Sequence, residues 1–179
     1  MMDMKRIKGW VRNNYVQGLI RRPKFSIPLL VIVVVYIIGG LTIGFLSNLF
    51  TPVVLTGPSL FYLPITLFVF PAFLEESFFR GFLIPLDTRE KSRKQIILTI
   101  LFSTVLFVIW HPANALTINP TAASFFLNPY FLGITFLLGL TCSILYIYTR
   151  SLWAPVALHW ITVLVWVLLL GGRNKILEM

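Results

Sequence analysis

Apolar residues in this chain come in long runs separated by short polar links, without the two-residue alternation of a membrane barrel strand. Five runs stand out, near Ser26 to Leu46, Leu60 to Leu86, Gln95 to His111, Pro129 to Tyr148 and Leu152 to Leu170. A hydrocarbon core about 30 Å thick takes about 20 helical residues, so each run is long enough to cross a bilayer. Backbone hydrogen bonds must close within a span, which makes helices the expected form. The pattern therefore predicts an all-α, polytopic transmembrane helix bundle of about five spans. Residues 25–172 form one membrane domain, between a basic cytoplasmic or interfacial N-terminal segment at 1–24 and a short C-terminal tail at 173–179.

The links set an orientation. Residues 1–24 carry seven lysines and arginines, and the link from Asp87 to Lys94 adds Arg89, Lys91, Arg93 and Lys94, followed by Arg150 at the next turn on that side. The links from Ser47 to Ser59 and from Pro112 to Asn128 contain no charged residue, and the C-terminal tail supplies only Arg173 and Lys175 to the other face. This lysine and arginine excess predicts a cytoplasmic N-terminus in an inner (plasma) membrane of bacterial type. No small-residue cleavage pattern follows the first run, so it is expected to stay as an anchor. Residues 1–24 form either an amphipathic helix on the membrane surface or a solvated basic tail. Within the second run, Pro64 and Pro71 each remove a backbone donor and predict a kink just before Glu75.

Composition agrees with a membrane protein: 58% of the 179 residues are hydrophobic and 12% are charged, where soluble domains carry about 25%. The net charge of +9 does not point to nucleic acid, because the basic residues flank apolar spans and form no polar face interleaved with aromatics. The single cysteine, Cys142, excludes an intrachain disulfide and reads as a small packing residue.

Candidate chemistry changes the picture more. Between Phe25 and Leu86 the only charged residues are Glu75, Glu76 and Arg80. A charge within a membrane span costs about 2.5–3.5 kcal/mol on insertion scales, so three in one span mark a site. Glu76 and Arg80 are four apart and share a helix face, where they can pair, whereas Glu75 points about 100° away and is left for proton transfer. The only histidines, His111 and His159, lie on two other spans. One glutamate and two histidines on three spans are what water activation within a membrane requires. Counted at 1.5 Å per residue, Glu75 and His159 fall roughly 16 and 13 Å into the membrane, and His111 about 10 Å nearer the outer side.

These residues resemble the pattern of the CPBP intramembrane proteases, which include the CAAX prenyl endopeptidases and the bacterial Abi proteins. That pattern is Glu-Glu-x-x-x-Arg, then Phe-x-x-x-His, then His-x-x-x-Asn. It matches Glu75, Glu76 and Arg80, then Phe107 and His111, then His159, across about Leu60 to Leu170. The resemblance implies that Glu75 and His111 activate a water, that His159 helps to stabilise the oxyanion, and that Glu76 and Arg80 support the glutamate helix. It also leaves a His₂Glu zinc site of Glu75, His111 and His159 as the alternative to a metal-free, cofactor-free water. Val163 stands where the pattern has asparagine. Thr162, the preceding residue, and Asn114, just after His111, are the nearby polar candidates to replace it, although neither follows from the spacing.

The function expected is that of an intramembrane endopeptidase acting on a membrane-embedded or lipid-proximal peptide. The short chain suits a peptide tail, a sorting signal or a small immunity-related peptide better than CAAX removal. Two other readings are a catalytically impaired relative that binds a membrane partner, which Val163 motivates, and a proton-coupled carrier. The lack of repeat symmetry disfavours the carrier.

Overall fold

The computed structural model describes residues 9–172, so Lys5, Arg6 and Lys8 of the basic segment and the whole tail at 173–179 lie outside the described residues. Helix α1 covers 12–20. It is followed by α2 (Ile27–Leu46), α3 (Ser59–Phe82), α4 (Arg93–Thr117), α5 (Pro129–Thr149) and α6 (Trp153–Leu169). Helices α2 to α5 are long and apolar enough to cross a membrane, and α6 is a shorter apolar helix. The expected all-α bundle of about five spans is therefore the observed architecture.

Local sequence explains where the helices start and stop. Ser92 and Gln95 form a reciprocal capping box at the start of α4. The Asn128 side chain accepts from the N–H groups of Tyr130 and Phe131 at the start of α5, with Pro129 in the first helical position. Arg150 ends α5 in a left-handed conformation at φ 51°.

Helix α5 is the axis of the bundle. It buries 56% of its most apolar window, against 22–28% for the other three long helices, and it packs on α2, α4 and α6. The outward faces of those neighbours are apolar, as with Val31, Val35 and Ile38 on α2 and Leu98, Phe102 and Val105 on α4, which suits contact with lipid.

Helix α3 carries the predicted kink. Phe70 leaves helical geometry at φ −134°, ψ 123°, and the Phe70–Pro71 peptide is cis. The break divides the helix into unlike halves. Residues 59–67 bury no side chain, whereas Glu75, Glu76, Ser77, Phe79, Arg80 and Gly81 beyond it are all buried. Trp160 of α6 braces the first half by donating its indole N–H to the Pro64 carbonyl at 2.8 Å.

Three expectations need correcting. The third span does not end at His111: α4 continues through Pro112 to Thr117, so His111 sits within a helix. The second span ends near Phe82, not Leu86. The described part of the N-terminal segment is no solvated tail, because α1 is tied to the bundle. Asn14 accepts from the Leu86 N–H at 2.9 Å, the Gly18 carbonyl from Leu152 at 2.9 Å, and the Arg21 carbonyl from the Ser151 hydroxyl at 2.6 Å. Polar groups at an apolar boundary gain most from such partners, so α1 docks on the protein rather than remaining in solvent.

The turn after α2 depends on a missing side chain. The Phe50 N–H donates to the Gly44 carbonyl at 3.0 Å, and its ring lies where a Cβ on Gly44 would go. Replacing Gly44 by alanine forces the ring away and is expected to lower stability by about 1–3 kcal/mol, the range for overpacked sites. Thermal unfolding of the detergent-solubilised protein checks this, and an unchanged midpoint would contradict it.

Candidate active site

The buried half of α3 presents its carboxylates in different directions. The Arg80 guanidinium donates to Glu76 Oε1 at 3.0 Å, both side chains being fully buried. It also donates to the Gly139 carbonyl on α5 at 2.9 Å. The same Glu76 oxygen lies 2.9 Å from His159 Nδ1 on α6. An ionised carboxylate only accepts, so Nδ1 carries a proton. The sequence therefore anticipated the Glu76–Arg80 pair but missed that Glu76 also orients His159.

Glu75 turns toward α4. Its Oε1 accepts from the Trp110 indole N–H at 3.0 Å, while its Oε2 is buried with no partner among the described residues. This bond sets the Glu75 carboxylate against Trp110, the sequence neighbour of His111, despite the depth difference of about 10 Å counted along the spans. Ile96 and Ile100 of α4 join Ile84 and Leu86, which lie beyond the end of α3, in one apolar cluster, so the two helices are offset along the bundle.

His111 is held by its own helix. Its Nδ1 lies 2.9 Å from the Phe107 carbonyl, which accepts only, so the proton is on Nδ1 and Nε2 keeps a lone pair. The ring is set among Phe107, Phe126 and Phe131, with centroids 5.0, 5.1 and 5.8 Å away.

Phe107 is the piece that joins these parts. It is fully buried and meets His111, His159 and Phe79 in edge-to-face contacts at 5.0, 5.6 and 5.2 Å. The Arg80 guanidinium lies 4.5 Å from its ring centroid, close enough for a cation–π contact. Gly139 permits this approach, since a Cβ there would stand 3.0 Å from the Phe107 ring and 3.3 Å from the guanidinium. The pattern from 107 to 111 hinted at Phe107; no sequence signal marked Trp110 or Gly139.

The residues near the Val163 gap separate clearly. The Thr162 hydroxyl donates to the Leu158 carbonyl at 2.8 Å and accepts from Tyr36 at 3.1 Å, so it is committed elsewhere. Asn114 is buried one turn beyond His111, and its carboxamide oxygen has no partner among the described residues. Among the described residues, no group of three His, Cys, Asp or Glu side chains is placed so as to hold a metal ion. Cys142 is fully buried, its Sγ 3.7 Å from the Pro155 carbonyl, and packs against α6 as a small residue.

Removing one partner of a buried ion pair leaves the other charge uncompensated, at a cost of about 3–5 kcal/mol. Arg80→Leu is expected to destabilise the protein by that amount, and Arg80→Leu with Glu76→Leu by less than the two single changes together. Denaturation of the four proteins in detergent, as a double-mutant cycle, measures the coupling, and strict additivity would show that the pair is not coupled.

The search of curated proteins returned no match, and neither did that of solved structures. Residues 55–165, more than half of the chain, match the family model described as type II CAAX prenyl endopeptidase Rce1-like. That interval contains both carboxylates, both histidines, Phe107 and Gly139, all on the helices that build the site. With five apolar helices around that site, the chain is an integral membrane protein and belongs to the Rce1-like type II CAAX prenyl endopeptidase family.

Proposed function

We propose that the protein is an intramembrane endopeptidase that hydrolyses a peptide bond of a membrane-embedded or lipid-proximal substrate, using a water activated by Glu75 and His111. The observation that carries this reading is the unequal treatment of two adjacent carboxylates. Each keeps a buried Oε2 without a partner among the described residues, but Glu76 is paired with Arg80 and bonded to His159, whereas Glu75 has no cationic partner and is held by the Trp110 indole alone. Family membership supports the reaction class.

In this reading Glu75 Oε2 takes a proton from the water, and the lone pair on His111 Nε2 accepts a hydrogen bond that aligns it. The water oxygen attacks the peptide carbonyl carbon, and the carbonyl oxygen becomes the oxyanion of a tetrahedral intermediate. His159 acts in this reading as an imidazolium, with Nδ1–H on the Glu76 carboxylate and its second N–H, at Nε2, donating to that oxyanion. The C–N bond then breaks, and Glu75 returns its proton to the leaving amine. Asn114 supplies, through its carboxamide N–H, the donor that Val163 cannot; its burial one turn from His111 and the engagement of the Thr162 hydroxyl with Leu158 and Tyr36 favour it over Thr162. No step is assigned to a metal. The substrate is a peptide tail or signal segment, and the N-terminus faces the cytoplasm, in keeping with the basic residues on the α1 side.

Cleavage of a library of transmembrane peptides by purified, reconstituted protein tests the reading. Glu75→Gln and His111→Ala are each expected to lower kcat by about 10²–10⁴, the usual worth of general acid–base groups. Unchanged cleavage by Glu75→Gln would exclude it as the base. Treatment with a chelator is expected to leave the rate unchanged, and loss of activity restored by zinc would replace the metal-free scheme.

For Asn114→Ala the expected loss is about 10²–10³ in kcat with little change in KM, because an oxyanion donor acts mainly in the transition state. A wild-type rate in this variant would remove Asn114 from the scheme. Binding of peptides without any cleavage by wild type would instead favour the non-catalytic reading that Val163 motivates.

A further inference from the structure

The face of the bundle that carries α1 contains a pocket of about 410 Å³ that takes no part in the proposed hydrolysis. Its walls come from three separate segments: α1, the link after α3 and the turn between α5 and α6. Four arginines, Arg12, Arg21, Arg89 and Arg150, line it. Asp87 is the one acidic residue in the lining, and it is already engaged. Arg89 donates to it through its backbone N–H, Nε and an η nitrogen, at 2.6–3.2 Å. These bonds hold the Asp87 carboxyl well below the usual carboxylate range, so it stays ionised and paired with Arg89. The lining keeps three positive charges in excess, and the Asn13 and Gln17 side chains add neutral donors.

The walls are fixed rather than assembled on demand. Asn14 joins α1 to the link after α3, while Gly18, Leu19 and Arg21 join its other end to Leu152, Trp153 and Ser151. Arg150 projects from a left-handed residue in that turn. An excess of guanidinium groups converging on a preformed cavity is matched to an anion with several acceptor oxygens, and arginine pairs with phosphate in a bidentate fashion. Depth selects the source of the phosphate. Val16, Ile20, Phe25 and Ile27, next to the arginines in sequence, have exposed apolar side chains that belong at the level of lipid tails. The pocket then lies at headgroup level.

We propose that this pocket binds the phosphate group of an anionic lipid headgroup, and that the bound lipid holds α1 against the bundle. The full-length protein in detergent is titrated with phosphatidylglycerol, and retained lipid is read by native mass spectrometry. Phosphatidylcholine and inorganic phosphate serve as parallel probes. Each arginine near a phosphate is worth about fivefold in affinity. Arg12→Gln with Arg21→Gln, both on exposed side chains, is expected to weaken phosphatidylglycerol binding about thirtyfold. Arg22→Gln with Lys24→Gln removes the same charge outside the pocket and is expected to change it less than twofold.

Circular dichroism and gel filtration confirm that each variant is folded, and Arg150→Gln is a second pocket variant, expected to lose about fivefold. Equal weakening by the two double variants would show a diffuse surface field and overturn the pocket. Wild-type affinity in the Arg12 and Arg21 variant, or binding of phosphatidylcholine as tight as that of phosphatidylglycerol, would overturn it as well. Displacement of the lipid by inorganic phosphate at equal concentration would make it a site for soluble phosphate, against the lipid assignment.

Discussion

A fully buried arginine inside a membrane bundle is the constraint on which this structure depends. Arg80 has no route to water, so its charge must be met where it sits. Glu76 meets it from the same helix, Gly139 from α5 through a backbone carbonyl, and Phe107 from α4 through its ring face. Three helices are thereby joined at one side chain. His159, bonded to the same Glu76 oxygen, adds a fourth. A buried ion pair is weak evidence for net stability, because desolvation offsets much of the attraction. What it supplies here is position: α3, α4, α5 and α6 must meet at this level for Glu76, the Gly139 carbonyl, the Phe107 ring and His159 to gather around Arg80, whose Nε, like Glu76 Oε2, has no partner among the described residues.

That arrangement frees Glu75. Two adjacent carboxylates within hydrocarbon would repel if both were ionised and unpaired, and neutralising Glu76 removes most of that repulsion. Glu75 is then bound by one indole N–H and keeps an oxygen unshared. Helical spacing made this division legible in the sequence, since residues 76 and 80 share a face that residue 75 does not. The five apolar runs and the kink were legible for similarly local reasons, through length, hydropathy and the two prolines of α3.

Other features were not legible, because they arise between elements. Trp110 reads as an ordinary aromatic at a helix end; only the level at which α4 meets α3 makes it the partner of Glu75. Gly139 is one of two glycines in an apolar helix, and its importance comes from the Arg80 and Phe107 groups placed against it by two other helices. The end of α4 was misjudged at Pro112, since a proline within a helix often stops it, yet the helix runs one and a half turns further. The buried side chains of Asn114 and Ala115 on that extension show what sustains it. The same extension keeps Asn114 on the face that carries His111.

The break at Phe70 links these local facts to the architecture. A straight α3 would carry one face along its length, whereas its first half has no fully buried residue and meets the bundle chiefly through Trp160 at Pro64. Leaving helical geometry at Phe70 lets the second half choose its own direction, so that residues 75, 76, 79 and 80 are all buried against α4, α5 and α6 while Phe78 and Phe82 stay outward. Proline at 71 makes the break inexpensive, because the donor it lacks is the one that a continuous helix would need there. The carboxylates therefore follow directly after the break: they belong to the first turn that is free to turn inward, and Arg80, one turn later, is the charge that holds it there.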